Sequence, residues 1–343
     1  MTKDKVDTPH DKQRTIKLSD IAHETGYSLT TVSKVLNGRS DISKTTKATV
    51  ETVLKRTGYI RRAYSKKHQR SIEIVFQNFD NLWSLEVLRG LLRKAKSQSI
   101  SVLVTESGDR QHPDSSWVKG IIGRQPLGVV LIFSNLTESE RNILQTRDIP
   151  YVVFDPSGDP ANGGLSVQAD NWTGGVIATR HLLTLGHKRI GIITGPDEMM
   201  CSRARLDGYC AALAERGIAK DPELITEGDF TTAGGYAQAM ALLEDSCIRP
   251  TAIFAGSDLQ AMGVYEAARQ LGVRIPEDLS VVGFDDVQTA AYLGPALTTV
   301  HQPLHEMAST AVQMIIDKAD NKPFQQQVIM PTTLMVRNST RQL

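Results

Sequence analysis

From residue 71 onward, short apolar runs rich in β-branched residues alternate with stretches whose apolar positions recur every three to four residues. The runs at 72–76, 101–105, 129–133, 151–154, 190–193, 251–254 and 280–284 predict strands. The stretches at 84–98, 137–147, 172–185, 203–216, 231–244 and 259–271 predict helices. Such alternation means parallel sheets covered by helices on both faces. Roughly 270 residues of it exceed one comfortable doubly wound sheet, so the pattern predicts two α/β lobes with a ligand cleft between them.

The first sixty residues follow another rule. Ile21 and Ala22 mark the inner face of a short helix, with Ser19 as its expected N-cap and Gly26 as its left-handed stop. Ser28 is placed to cap a second helix, in which Val32, Val35 and Leu36 form a stripe at i, i+3 and i+4. Leu29, Thr30, Thr31, Ser33 and Lys34 are left outside that stripe. A third helix over 44–57 supplies Val50, Val53 and Leu54 and stops at Gly58. Hydroxyl and cationic side chains on an exposed helix N-terminus suit entry into the major groove. Thr can bond a base or a phosphate, Lys reaches guanine acceptors, and Leu touches a thymine methyl.

Charge sharpens this reading. Residues 1–70 carry 16 Lys plus Arg against 7 Asp plus Glu, and the remaining 23 basic residues face 31 acidic ones. The overall +1 therefore hides a basic head on an acidic body, and such a head binds phosphates with an affinity that falls steeply with salt. No run of eighteen apolar residues occurs, and residues 1–14 are charged, so neither a membrane span nor a secretory signal is expected and the location expected is the cytoplasm. Cys201, Cys210 and Cys247 are too few and too irregularly spaced for a disulfide framework or a zinc site.

Candidate chemistry gathers where the predicted strands end. Asn78 and Asp80, Asp155, Ser257 and Asp258, and Asp285 and Asp286 follow strands whose carboxyl ends face the crevice. Asp258 is expected to cap a helix, whereas Asp155 and Asp285 are expected to bind a ligand. Asp285 and Asp286 are neighbours at a strand end, so their side chains diverge instead of flanking a bond as a glycosidase pair would. No nucleophile elbow, phosphate loop or dinucleotide fingerprint appears. His301 and His305 are spaced i, i+4, yet Pro303 lies between them and no further ligand supports a metal. The expectation is a protein that is not an enzyme and needs no cofactor or metal.

At this level of detail the chain resembles the LacI/GalR family of bacterial transcription regulators. The likeness runs from Thr15 to about Arg337. In the head it rests on 15–22, Gly26-Tyr27-Ser28, 31–38 and Gly58-Tyr59. In the body it rests on Asp170-Asn171 with Gly174, His181-Leu182-Leu183, 185–190, 205–209, Ala261-Met262-Gly263, 275–286 and 297–303. The resemblance implies a homodimer or tetramer whose paired heads sit on double-stranded, pseudo-palindromic operator DNA, most simply as a nucleoid-associated repressor. It implies a body like a sugar-binding periplasmic protein, and an effector, usually a sugar, that controls DNA affinity allosterically.

Carried over position by position, Leu29, Thr30 and Lys34 become the base readers, and Ser28, Thr31, Ser33 and Asn37 the phosphate contacts. Arg205 and Asp285 become the ligand-holding pair, Asp155 a ligand-side acid, Ser257 a position often filled by Asn, and Trp83 an aromatic cover for a sugar ring, which points to a plant-derived mono- or oligosaccharide such as a xyloside or glucoside. The implied organisation is a disordered tail at 1–14, a helix-turn-helix domain at 15–60, a basic hinge at 61–70 and the body at 71–343. Three crossings divide the body into a first lobe of about 71–165 and 300–328 and a second of about 166–297 and 331–343. The hinge departs from the family: His68 stands where a minor-groove Leu wedge is usual and Arg61 where Pro is usual. Arg61, Arg62, Lys66 and Lys67 offer cationic groups that track phosphates but do not unstack a base step, so weak central bending and a steep salt dependence are expected.

Overall fold

The computed structural model describes residues 16–37, 39, 42–57, 59, 70–79, 81–108, 116–132, 136–156, 164–245 and 249–343. The expected tail at 1–14, the hinge with Arg61, Arg62, Lys66 and Lys67, and also Asp80 and Cys247 lie outside the described residues. Two compact units emerge: residues 1–67 with 118–124 and 136–149, and the rest of the body.

In the first unit, α1 (Leu18–Thr25), α2 (Leu29–Leu36) and α3 (Lys44–Thr57) enclose Ile21, Ala22, Val32, Val35, Leu36, Val50 and Leu54. Gly26 ends α1 at φ 71°, a left-handed turn that a Cβ would strain. Ser19 is not the cap expected of it. Helix α1 begins at Leu18, and the Lys17 amide donates to the Asp20 carboxylate at 2.8 Å, so the carboxylate one turn in satisfies the helix entrance. Ser28 does cap α2, accepting from the Thr31 amide at 3.1 Å.

The second unit holds two six-stranded sheets. The first contains β1 (Ser71–Phe76), β2 (Ser101–Glu106), β3 (Gly128–Ile132), β4 (Tyr151–Phe154), β5 (Leu165–Ala169) and β11 (Gln327–Met330) in the order β11-β5-β4-β3-β1-β2, all parallel. The second contains β6 (Ile190–Thr194), β7 (Ile225–Glu227), β8 (Ala252–Ala255), β9 (Ser280–Asp285), β10 (Thr298–His301) and β12 (Thr333–Met335) in the order β12-β10-β9-β8-β6-β7. Among the described strands only β12 runs antiparallel, against β10.

Helix α4 (Leu82–Ser97) and α11 (Leu304–Ala319) pack together over the first sheet. On the second sheet, period-two alternation sends Ile192, Phe254 and Val282 toward α7 (Asn171–Thr184) and α8 (Met200–Glu215). The same alternation sends Ile193, Ile253 and Val281 toward α9 (Thr232–Leu243) and α10 (Asp258–Gln270). Two further helices, α5 (Ser116–Arg124) and α6 (Glu138–Thr146), complete the described α-helices.

All seven strands and all six helices expected of the body are present; β5, β7, β10, β11, β12, α5 and α11 were not expected. Strand β5 keeps 165–169 in the first sheet, so the chain leaves that sheet at Asp170. The absent expectations have physical reasons. Thr298 and Thr299 in β10 are fully buried but polar, and edge strands β11 and β12 carry exposed residues on alternate positions.

The close contact between α7 and α8 places the site. A Cβ on Gly175 would stand 2.3 Å from the Arg205 carbonyl oxygen, and one on Gly208 would stand 2.3 Å from that of Trp172. These two glycines let the backbones touch, which sets Arg205 beside the first residue of α7. We expect Gly208→Ala to cost roughly 1–3 kcal/mol through this backbone clash, read as a lower midpoint in thermal unfolding of the full chain. An unchanged midpoint would show that the helices separate freely.

Candidate functional site

Asp155 directly follows β4 and Asp285 ends β9, both in left-handed backbone (φ 49° and 113°), so the chain turns sharply at each carboxylate. Arg205, on α8, is buried with them. Its Nε donates to Asn171 Oδ1 at 2.9 Å and its Nη1 to the Gly256 carbonyl at 2.5 Å, while Asp285 Oδ1 lies 3.9 Å away. The guanidinium lies 3.7 Å from the centre of the Phe284 ring and 5.4 Å from that of Phe230. Asn171 Nδ2 donates to Asp155 Oδ1 at 3.3 Å, whereas the buried Asp155 Oδ2 has no hydrogen-bond donor among the described residues. Gln302 extends this network across the crossing segment: its Oε1 accepts from the Trp83 indole at 3.1 Å, and its Nε2 reaches Asn171 Oδ1 at 3.5 Å.

Electrostatics follow from burial. Loss of water pushes the Asp155 carboxyl up to about 6, although Arg205 and the Asn171 hydrogen bond pull the other way. Asp285 is raised too, first by burial and further by Asp155, with Arg205 opposing. Cys201, one turn before Arg205, has its thiol pushed up to about 12 by burial and then by Asp155, which marks it as a neutral neighbour.

Arg205, Asp155 and Asp285 are thus brought together. Ser257 and Trp83 are held in other ways. The Ser257 hydroxyl caps α10, accepting from the Gln260 amide at 3.1 Å. Asp258, expected to be that cap, is the first residue of α10 and instead receives the Thr299 hydroxyl at 2.5 Å and the Val287 amide at 2.9 Å. A cap must precede the helix with extended backbone, and Ser257 does. Trp83 is buried in the core of the first sheet with its ring edge to Phe154 at 5.9 Å.

Asp286 turns away from Asp285, toward His301 Nδ1 at 3.0 Å and Arg337 Nη2 at 2.6 Å. His305 pairs with Glu86 at 3.0 Å, so the two histidines have separate carboxylate partners. Among the described residues no three His, Cys, Asp or Glu side chains form a metal cluster, and no helix is long and apolar enough to cross a membrane. Asn171, Gln302, Phe230 and Phe284 were not anticipated at the site. Asn171 has a sequence signal in its pairing with Asp170 at a helix start, while Phe230 has none.

In the head, Leu29 is 52% exposed on α2, with Thr30 exposed and Thr31 half-buried beside it. Ser28 and Thr31 share a hydroxyl contact at 2.9 Å, and Asn37 ends the helix.

This architecture has known counterparts. The profile of bacterial regulatory proteins of the lacI family matches residues 17–62, and that of a periplasmic binding protein-like domain matches residues 179–340. The HTH-type transcriptional repressor CytR of Escherichia coli (strain K12) is 32% identical over 331 residues, covering 95% of this chain and 96% of its own. The chain belongs to the LacI family.

Within that family, the HTH-type transcriptional repressor PurR of Proteus mirabilis is 32% identical over 310 residues, 89% of this chain and 91% of its own. The solved complex of the transcriptional regulator CelR with cellobiose superposes with a TM-score of 0.73 at 28% identity, over 94% of this chain and 99% of that one. As a LacI-family regulator, the protein pairs a DNA-binding head with a ligand-binding body, and its relatives regulate transcription.

The raised Asp155 has a pH signature. The folded state holds its proton more tightly than the unfolded chain does, so this group's contribution to stability falls as pH rises from about 4 to above 6. We expect Asp155→Asn, which keeps an oxygen for Asn171 and tolerates the left-handed backbone, to stabilise the ligand-free protein at pH 8. The gain should be on the order of 2–3 kcal/mol and should vanish near pH 4, read from denaturant unfolding at each pH. A variant less stable than wild type at pH 8 would contradict the assignment.

Proposed function

We propose that this regulator is a repressor acting as a homodimer on a pseudo-palindromic operator, and that a mono- or oligosaccharide held in the body controls its DNA affinity. The observation that carries the effector reading is the buried cluster of Arg205, Asp285 and Asp155, in which one carboxylate oxygen has no donor among the described residues. Two acids and one cation favour a neutral ligand rich in hydroxyl donors over an anion. Neighbouring hydroxyls donate to Asp155 and Asp285 and accept from Arg205, which is how polar side chains hold a sugar edge. The cellobiose bound by CelR supports the ligand class.

Phe230 and Phe284 supply apolar faces beside Arg205, a role first expected of Trp83. The Trp83–Gln302–Asn171 chain runs from the first lobe through the crossing to the second, so a ligand that rearranges Asn171 favours one lobe arrangement. Such a preference is worth about 1–3 kcal/mol of coupling to the heads.

A panel of neutral sugars, screened by thermal shift and then by retention of an operator duplex selected from a randomised pool, tests the reading. At least one sugar should both raise the unfolding midpoint and change retention, and Asp285→Asn should bind the duplex normally yet lose that response. A response confined to anions, or one undiminished in Asp285→Asn, would refute it. In the head, Lys34→Ala should cost about 1–3 kcal/mol on the selected duplex and less on a scrambled one. Equal losses on both would make Lys34 a phosphate contact.

A further inference from the structure

We propose that Arg147 is a positioning residue for DNA recognition, which clamps the C-terminal end of α2 and fixes the Asn37 carboxamide with its NH2 group on the phosphate side. Arg147 directly follows α6 and is only 8% exposed. Its Nε and Nη2 donate to the Leu36 carbonyl at 3.2 and 2.7 Å, and Nη2 also donates to Asn37 Oδ1.

Leu36 is the last residue of α2, so its carbonyl is one of those the helix leaves without an internal donor. The guanidinium satisfies that carbonyl and puts a positive charge at the negative end of the helix dipole. Its second effect concerns orientation. A guanidinium has only donors, so the Asn37 atom that meets it must be the oxygen. The amide nitrogen is then turned the other way, where it donates to Ser33 Oγ at 3.3 Å. A phosphate accepts hydrogen bonds and donates none. With the carboxamide reversed, Asn37 would present oxygen to oxygen. Arg147 thus decides whether Asn37 can serve DNA at all, while Leu29 and Thr30 at the other end of α2 gain a fixed helix axis.

This inference rests on reading Asn37 as a phosphate contact, and the test separates the two. Full-length wild type, Asn37→Ala, Asn37→Asp, Arg147→Met, Arg147→Lys and the Arg147→Met, Asn37→Ala double variant are titrated with the selected duplex and with a scrambled duplex of equal length. Thermal unfolding is followed in parallel. Asn37→Ala and Arg147→Met should each lose about tenfold on the selected duplex, and the double variant little more than either.

Asn37→Asp keeps an acceptor for Arg147 but has no N–H, and should lose as much as Asn37→Ala. Arg147→Lys keeps the charge and a single donating nitrogen in place of the fork and should lose about threefold, which covers the case of a poorly folded Met variant. Losses that multiply to about a hundredfold in the double variant would overturn the proposal, because Arg147 would then act independently of Asn37. So would unchanged or tighter binding in both Arg147 variants alongside a loss in Asn37→Ala. If Asn37→Ala itself binds normally, the phosphate reading fails and the proposal falls with it.

Discussion

A single buried cation organises the body. Arg205 donates its hydrogen bonds to Asn171 at the start of α7 and to the Gly256 carbonyl after β8, and lies beside Asp285 at the end of β9. Removing a guanidinium from water is costly unless it is paired and fully hydrogen-bonded, so three separate chain segments must converge on it. Gly175 and Gly208 make that convergence possible by letting α7 and α8 approach backbone to backbone. The sharp turns at Asp155 and Asp285, and the flat face of Phe284 under the guanidinium, are the local accommodations around it. The carboxylates are held in a poorly solvated place that disfavours their charge. Asp155 Oδ2 is buried there with no donor among the described residues.

Much of this was legible in the residues. Regular elements of the body announce themselves by period, because buried strands of β-branched residues and amphipathic helices leave different spacings. Arg205, Asp155 and Asp285 were legible as ionisable residues at strand ends or in the family pattern. Ser257, by contrast, looks like a ligand contact and is a cap, since a hydroxyl before a helix serves the nearest free amide first. Trp83 looks like a sugar platform but sits in the core, with its indole N–H committed to Gln302. Strand β10 has no apolar pattern to show because its buried threonine hydroxyls are satisfied by the Arg337 amide and the Asp258 carboxylate, pairings visible only in three dimensions. The spacing of Met307, Ala308, Ala311, Val312 and Ile315 does carry a helical signal for α11, which the alternating pattern before it obscured.

The head illustrates a different limit. Its hydrophobic stripe and caps follow from local rules, and its exposed face is written in residue type. What those rules cannot reveal is that Arg147, more than a hundred positions along the chain, completes the C-terminal end of α2. Long-range side-chain to backbone contacts have no period, and Arg147 lies among residues whose local pattern speaks only of a helix end.

The central claim is that Asp155 is the acceptor a bound effector satisfies, and proton exchange on binding tests it most directly. A sugar found to bind the full chain is titrated by calorimetry near pH 6 in buffers of different ionisation enthalpy, for wild type and for Asp155→Asn. Donation from a ligand hydroxyl favours the charged carboxylate, so wild type should release a proton on binding and Asp155→Asn should release less. Binding with no proton exchange in wild type, or with the same exchange in both proteins, would contradict the account.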